Sequence, residues 1–292
     1  MCTFVWRVNP MDDRPSNRAL LWHQVRYQNL IFWRTPISAL FTLVFPLLFL
    51  FVFTLLIGNE FIGILGVSTA QFYTPALAVF GAVTATYTNL AISTAFARDL
   101  GILKRVRGTP LQPWIYLGGR VGSATWVAAI AIALMLAVGI GVYDVVVYAE
   151  AIPALLVTFL VGVACFAALG LLIAALSPSG DASPMVANAT LLPLAFISDI
   201  FIVPGESAPE WVGRVADIFP LKHFAVAFTD SFNPAIVAGY ESWLDHFHWA
   251  DLGVMVLWLV GGGLAAMRVF TWEPRAGERK PLRRKRAIAP IS

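Results

Sequence analysis

Long runs of apolar residues, separated by short polar or basic segments, dominate this chain. A helix needs about 20 predominantly apolar residues to cross the hydrocarbon core of a bilayer. Six runs approach that length, and they cover residues 37–57, 71–96, 121–142, 152–176, 184–203 and 252–269. Inside lipid a backbone must satisfy its own hydrogen bonds, so each run is expected to be helical. The pattern predicts an all-α integral membrane protein with six transmembrane helices.

Composition supports the same class. Hydrophobic residues make up 59% of the chain and charged residues 13%, with a mean hydropathy of +0.75. Soluble domains carry about 25% charged residues, so this chain has too little polar surface to cover a water-soluble body. The net charge of +3 could suggest nucleic acid as a partner. The distribution of the charges favours an explanation in terms of membrane topology.

Lysine and arginine are concentrated in alternate connections between the predicted spans. Five lie in residues 1–36, five in residues 98–120 and eight from Arg268 onward, whereas the opposite side holds Arg214 and Lys222. Because cytoplasmic segments carry an excess of Lys and Arg, both termini are predicted in the cytoplasm. The basic run 283–286 is interpreted as a lipid-headgroup anchor after the last span rather than a nucleic-acid site.

The charge pattern divides the chain into a cytoplasmic segment (1–36), a six-span domain (37–270) and a basic cytoplasmic tail (271–292). Within the first, residues 16–34 are too charged to cross a membrane. Trp22 and Trp33 supply aromatic bulk there, and Arg26 and Arg34 supply contacts to lipid headgroups. We expect a helix lying in the cytoplasmic interface. The alternative is that residues 16–34 are simply the cytoplasmic segment next to the first span.

The basic loop at residues 98–120 contains about two turns of possible helix, ended by glycine and proline. Leu103 and Val106 lie three positions apart and share a face. The basic residues around them are Lys104, Arg105 and Arg107. The spacing predicts a short rigid knob with an apolar tip that docks on a partner. The alternative is an ordinary positively charged loop.

The segment 198–251 before the last span is too apolar for a free loop. Phenylalanine, isoleucine and valine recur between proline and glycine residues. Short re-entrant helices that dip into the outer leaflet fit this pattern, and irregular backbone at that depth must be buried in protein or line a cavity.

Motifs for catalysis are missing from the sequence. No G-x-x-x-x-G-K-[ST] occurs, so no ATP site, enzyme activity, cofactor or metal is expected in this chain. His246 and His248 are interpreted as interfacial polar residues rather than metal ligands. Six polar residues in or beside spans form a weak candidate for a substrate path: Tyr87, Thr88, Asn89, Asn188, Thr190 and Asp199. The alternative for the residues in the spans is helix packing, and for Asp199 it is a position at the outer end of the fifth span in contact with water.

Three stretches give the chain a family resemblance. They are FWRTPISALFTLVFPLLFLFVF (32–53), ARDLGILKRVRGTPLQPWIYLGGR (97–120) and FISDIFIVPGESAPEWVGRVADIFPLKHFAVAF (196–228). In their order and motifs they resemble the ABC-2 type permeases, the membrane subunits of ABC exporters, and within these the daunorubicin-resistance type. Asp199 departs from the small residue that such permeases often carry at its position.

The resemblance implies a complex that spacing alone does not show. Two separate cytoplasmic ATPase subunits would carry ATP and Mg, and a second copy or a related permease would complete a dimer in a bacterial plasma membrane. Residues 103–107 would form the coupling helix, and the second and fifth spans would line the path. The expected cargo is amphiphilic: a drug-like molecule, a lipid or a lipid-linked glycan, moved outward. Membrane lipids are the remaining partner, and nucleic acid is not expected.

Other functional classes remain open. A proton-driven secondary transporter would need acids within the membrane and an internal repeat. A membrane-embedded enzyme would need a cluster of His, Asp or Glu at one depth. A scaffold would anchor partners without transporting anything.

Overall fold

The computed structural model describes residues 16–63, 65–203 and 210–273 of the chain. Helices account for most of this part. Their bounds are α1 Asn17–Trp33, α2 Pro36–Ile57, α3 Thr69–Asp99, α4 Ile102–Arg107, α5 Pro113–Tyr143, α6 Ile152–Leu176, α7 Ser183–Ile197, α8 Glu210–Ala216, α9 Pro220–Thr229, α10 Pro234–Val237 and α11 Trp249–Val269. A two-residue antiparallel hairpin, β1 (Phe61–Ile62) with β2 (Val67–Ser68), joins α2 to α3. The basic run predicted as an anchor lies outside the described residues.

Five described helices are long and apolar enough to cross a membrane: α2, α3, α5, α6 with its preceding 3₁₀ turn, and α11. The prediction of spanning helices is confirmed for these five. The sixth apolar helix, α7, has 15 residues. At 1.5 Å per residue it is about 22 Å long, shorter than a hydrocarbon core of about 30 Å. A sixth crossing stays a prediction.

The predicted fifth span is wrong for residues 198–203, because α7 ends at Ile197. Asp199 follows with a φ of 59°, a left-handed conformation that breaks a helix and that aspartate tolerates better than most residues. The chain then turns into the protein. Phe201 packs with ring centroids 5.1 Å from Phe49, 5.0 Å from Phe80 and 5.0 Å from Phe196. Burial of this phenylalanine fixes the segment in an irregular conformation.

Helix α3 is the centre of the bundle. Of its most apolar window 78% is buried, against 22–44% for the other four long helices. It packs against α2, α5, α6 and α9. Small residues (alanine, glycine and threonine) make up much of its length, so its neighbours approach closely.

A π-helical segment, Thr84–Thr88, interrupts α3. The hydroxyl of Thr86 donates to the carbonyl of Ala82 at 2.8 Å, a local bond that competes with regular helix geometry. Gly170 of α6 lies directly against this segment. A Cβ added at Gly170 would be 2.7 Å from the carbonyl oxygen of Thr86 and 2.8 Å from that of Tyr87. Helices α3 and α6 are therefore in backbone contact at this level.

Helix α1 packs on the first half of α5. A Cβ added at Gly118 would be 3.2 Å from Leu21, and one at Gly122 would be 2.8 Å from Val25. Ser16 caps the helix, since its hydroxyl accepts the N–H of Ala19 at 3.3 Å. The predicted N-terminal helix is therefore present. Its position in the membrane interface stays a prediction.

Three short helices, α8 to α10, precede the last span. The predicted short helices in this segment exist, although their re-entrant depth is untested. The inner face of α9 is fully buried through Leu221 and Phe224, and Phe224 stacks against Phe166 of α6 at 6.2 Å. Ser198, Ile200, Phe201 and Val203 are buried too, so most of this irregular segment and the inner face of α9 belong to the core.

Candidate functional site

Helix α4 is a separate six-residue element between two glycines. Gly101 precedes it with a φ of 71°, the left-handed region that glycine enters without strain, and Gly108 ends it. This geometry turns the chain sharply out of α3 and back toward α5. The predicted short helix is present in the basic loop.

The predicted apolar tip of this knob is wrong for Leu103. Its side chain is 0% exposed and packs against Ala97 of α3 and Tyr116 of α5. Val106 is partly buried against the same cluster. In a two-turn helix beside an apolar bundle, burying leucine is more favourable than exposing it. Leu103 therefore fixes α4 to the bundle.

The outer face of α4 is basic. Lys104, Arg105 and Arg107 are all exposed, and Ile102 is 39% exposed beside them. No ion pair joins these three basic side chains to an acid within the described chain. The face offers a compact cationic surface on a rigid support. Its role in binding an ATPase stays a prediction.

A buried arginine ties the end of α3 to the end of α6. Arg98 is 2% exposed, and its guanidinium donates to the carbonyl oxygens of Ala174 and Ser177 at 2.9 Å each. A cation at the last carbonyls of a helix is favoured by the helix dipole. Asp99 completes the arrangement: one carboxylate oxygen accepts from Arg98 at 3.0 Å and the other accepts the N–H of Gly180 at 2.6 Å.

This cluster, the Arg98–Asp99 clamp, joins three parts of the chain: the end of α3 next to α4, the end of α6, and the α6–α7 connection. Its hydrogen bonds are charge-assisted and therefore stronger than neutral ones. A force applied to α4 would reach α6 and α7 through this clamp as well as α3 through the backbone.

A second buried arginine lies nearby on α5. Arg120 is 7% exposed and donates to Ser93 (3.1 Å), Thr94 (3.3 Å) and Tyr116 (2.9 Å). All three partners are neutral hydroxyls. Its Nε atom is buried without a hydrogen-bond partner.

The residues predicted for a substrate path do not form one group. Tyr87 on α3 and Thr190 on α7 meet, with their oxygens 2.7 Å apart. Thr88 is buried and its hydroxyl has no partner. Asn89 lines a different cleft, beside Arg120. Asn188 is exposed on the outer face of α7. The Tyr87–Thr190 pair is the one polar contact that the structure makes between these candidates in the second and fifth apolar segments.

Asp199 lies apart from that pair, beyond the end of α7. Lys222 of α9 approaches its carboxylate at 3.9 Å and binds Asp217 more closely, at 2.7 Å. Burial raises the pKa of the Asp199 carboxyl above its usual range; Lys222 opposes this shift and Asp217 adds to it. The geometry places Asp199 in a polar network at the end of the bundle opposite α4.

The same end carries a network of histidines and acids. The two carboxylate oxygens of Asp251 form hydrogen bonds with Nδ1 of His223 at 2.6 Å and with Nδ1 of His248 at 3.2 Å. The carboxylate of Asp230 lies 4.0 Å from Nε2 of His248. Burial raises the pKa of Asp230 to about 6. The hydrogen bond to Asp251 raises the pKa of His248 above its usual value. His246 does not join this network: it is 6% exposed and packs against Tyr240.

Within the described residues no group of three His, Cys, Asp or Glu side chains could hold a metal ion. The network is thus a set of hydrogen-bonded titratable groups. It links α9, the turn after α9 and the start of α11.

The predicted interface residues are exposed on α1 and just beyond it. Trp22 is 66% and Trp33 47% exposed, and Arg26 and Arg34 are exposed as well. Their contact with lipid headgroups stays a prediction.

Sequence reasoning missed the buried arginines and the histidine–aspartate network. In the sequence, Arg98 and Arg120 count only among the basic residues that indicate membrane topology. One signal was available: each lies within a run of apolar and small residues rather than in the polar part of the loop. No spacing rule links His223 to Asp251, which lies 28 positions away.

Comparison with known proteins gives the family. Residues 19–233 match the family described as ABC-2 type transporter. The chain is also 31% identical over 201 residues to the daunorubicin resistance ABC transporter permease protein DrrB1 of Streptomyces coeruleorubidus, covering 66% of this chain and 67% of that protein. The family match at residues 19–233 includes most of α1, all of α2 to α9, both buried arginines and the Tyr87–Thr190 pair. The chain, a multi-pass helical membrane protein whose short basic helix is held on the bundle by Leu103, belongs to the ABC-2 type transporter family.

Proposed function

We propose that this chain is the membrane-spanning permease of an ATP-driven exporter that moves an amphiphilic drug-like molecule, lipid or lipid-linked molecule out of a bacterial cell. ABC-2 permeases work with a cytoplasmic ABC ATPase. Two copies of that ATPase would bind ATP and Mg, and this chain would bind neither. The name of the curated relative, a drug-resistance permease, supports a drug-like cargo.

The observation that carries the proposal is the construction of α4. Three basic side chains point outward from a helix that Leu103 fixes to the bundle, and the Arg98–Asp99 clamp joins the adjoining end of α3 to α6. A docking element must be rigid to transmit a rigid-body movement. A push on α4 would move the ends of α3 and α6 together. That movement would alter the gap between α3 and α7 where Tyr87 meets Thr190.

The exposed face of α7 supports a dimer. Asn188 is exposed on this apolar helix, next to Met185 (77% exposed) and Leu192 (41%). An amide facing lipid without a hydrogen-bond partner is unfavourable. A second permease copy, or the transport path between two copies, would cover it. The Tyr87–Thr190 pair, which lies behind this face, would then border the same path.

Charge distribution and helix length support one topology. In the proposed arrangement α4 and the α6–α7 connection face the cytoplasm, and the histidine–aspartate network faces outward. Helix α7 would cross together with residues 198–203, four of which are buried in protein, so that this segment need not be helical. Both termini then lie in the cytoplasm, in agreement with the basic segments.

The test is co-purification with a candidate ATPase, followed by ATP hydrolysis in proteoliposomes. We expect Arg105→Glu to reduce ATPase binding by tenfold or more, because it reverses one charge on the docking face. Arg18→Glu is the matched control, since it reverses an exposed charge on α1. If both variants bind the ATPase as the wild type does, the basic face is not the docking surface.

A proton-driven transporter is the second candidate, and the neighbouring titratable side chains His248 and Asp230, whose pKa values are both raised, favour it. In proteoliposomes without ATPase, uptake or release of a fluorescent amphiphile driven by a pH gradient alone would support this candidate. Dependence on ATP and the partner subunit would exclude it.

A further inference from the structure

A cleft of about 370 Å³ lies at the end of the bundle that carries α4. Helix α1, the start of α2, the end of α3 and the first half of α5 form its walls. Most of the wall is apolar, including Phe32, Leu90, Ile92 and Val127. At its edge Ile31 is 42%, Phe96 37% and Leu100 65% exposed. The cleft thus presents an apolar lining and an apolar rim, the surroundings that an acyl chain requires.

Arg120 places a positive charge in this apolar cleft. The residue lines the cleft, and no Asp or Glu of the described chain forms an ion pair with it. A buried charge without a counter-charge is unfavourable, even when hydroxyls solvate part of it. Of its five N–H donors, the bonds to Ser93, Thr94 and Tyr116 leave Nε–H and one N–H of Nη2 unused. The guanidinium of Arg120 therefore lacks a compensating negative charge within the described chain.

The depth of Arg120 fits a lipid headgroup region. It is the eighth residue of α5, about 10 Å along the axis from the first. Trp114, at the start of α5, is 52% exposed, as expected of an aromatic residue at a membrane–water interface. Arg120 therefore lies about one and a half helical turns deeper in the membrane than Trp114. At that depth the headgroup phosphates give way to acyl chains.

We propose that this cleft binds one anionic phospholipid of the adjacent leaflet, with its phosphate at Arg120 and the start of an acyl chain along the apolar wall. The phosphate supplies the missing negative charge, and guanidinium recognises phosphate oxygens in a fork geometry. A zwitterionic lipid is a poorer occupant, because its own cation would lie in a site that already holds one. The lipid would bridge α1 and the α3–α4 junction, next to the proposed docking helix.

The proposal concerns a lipid held by the permease alone, and it stands without the ATPase. It is tested on the purified full-length chain in detergent. Native mass spectrometry would measure retained lipid, and thermal unfolding would measure stabilisation by added phosphatidylglycerol, phosphatidylcholine or inorganic phosphate.

We expect the wild type to retain phosphatidylglycerol at least tenfold better than phosphatidylcholine. Arg120→Gln should lose that preference. Arg268→Gln, which removes an exposed charge on α11 at the same end, should retain it. Because Arg120 also holds three hydroxyls, a second variant leaves it in place: Ala124→Leu fills the cleft, whose lining includes Ala124. This variant should lose lipid retention too, with Arg120 unchanged.

Three outcomes would overturn the proposal. Retention of phosphatidylglycerol by both Arg120→Gln and Ala124→Leu at the wild-type level would place the lipid elsewhere. Equal retention of the two lipids would remove the role of charge. Stabilisation by inorganic phosphate equal to that by phosphatidylglycerol would make the occupant a free anion rather than a lipid.

Discussion

Two buried arginines at the same end of the bundle have opposite surroundings. Arg98 meets a carboxylate and the carbonyl end of a helix, so its charge is compensated within the chain. Arg120 meets three hydroxyls, the ring of Tyr116 and a cleft, so no carboxylate of the described chain compensates its charge. The first arrangement holds helices together. The second favours the binding of an anion from outside the chain. This difference distinguishes a cation that stabilises the fold from a cation that binds a ligand.

The largest effect is expected from removing the compensated arginine. Arg98→Met would leave Asp99 without its cation and two carbonyls without their donor. We expect a loss of about 3 kcal/mol in the free energy of unfolding, typical of breaking a buried charge pair. Thermal or denaturant unfolding in detergent measures it. Arg105→Met, on the exposed face of α4, is the control and should change stability by less than about 0.5 kcal/mol. Equal effects would show that the clamp adds no stability.

Removing the acid of the clamp should cost less. Asp99→Asn keeps an oxygen that can accept from either Arg98 or the N–H of Gly180, but loses the charge that strengthens both bonds. We expect a loss of about 1–2 kcal/mol, measured in the same unfolding experiment. A loss as large as that of Arg98→Met would mean that the carboxylate, rather than the helix carbonyls, supplies most of the stability.

The uncompensated arginine should tolerate replacement better. Arg120→Met gives up three hydrogen bonds but also removes an unpaired buried charge, and these effects oppose each other. In lipid-free detergent we expect a net change within about 1 kcal/mol of the wild type. Unfolding with and without added phosphatidylglycerol distinguishes the roles: the lipid should stabilise the wild type and leave the variant unchanged. A loss that matches Arg98→Met would make Arg120 a structural cation as well.

The opposite end of the bundle supplies the smallest effect, and it depends on pH. Folding raises the pKa of Asp230 from 3.8 to about 6, so the folded chain binds more protons than the unfolded chain in that window. Stability therefore falls as pH rises through it. The pKa of His248 is also raised, so its contribution is fully present below 6.5 and is lost as pH rises through the folded value.

Both groups act in the same direction. We expect stability to fall by about 1 kcal/mol between pH 4.5 and 8, since both side chains are partly exposed. Asp230→Asn combined with His248→Gln should flatten the profile of thermal unfolding against pH. The Arg98 and Arg120 variants are the controls and should keep the wild-type slope, because arginine does not titrate in this range. A wild-type stability that does not change with pH would contradict the raised pKa values of Asp230 and His248.

Hydrophobic periodicity and charge were enough to locate most of the fold. The predicted fourth span, 152–176, matches α6 at both ends, because its boundaries are marked by a proline and a serine–proline step. The predicted fifth span ran six residues too far. A continuous apolar run cannot reveal that Asp199 turns the backbone and Phe201 returns to the core.

The candidate site was harder to predict because its contacts are remote in sequence. The position of a short helix was correct, but the spacing of Leu103 and Val106 could not say which face meets the bundle. The acceptors of Arg98 lie 76 and 79 positions further along the chain. Tyr87 and Thr190 were both named from their polarity, yet their hydrogen bond spans 103 positions and comes from helix packing.

The contact at Gly170 has a practical consequence for anyone who would change the cargo of this transporter by mutagenesis. No side chain fits there, because even a methyl group would meet the carbonyls of Thr86 and Tyr87. A saturation library at position 170 should therefore return only glycine among its functional clones, whereas the exposed face of α7 leaves room for larger side chains, as at Met185, which is 77% exposed. Libraries aimed at new cargo belong on the α7 face, with α6 left untouched at this level.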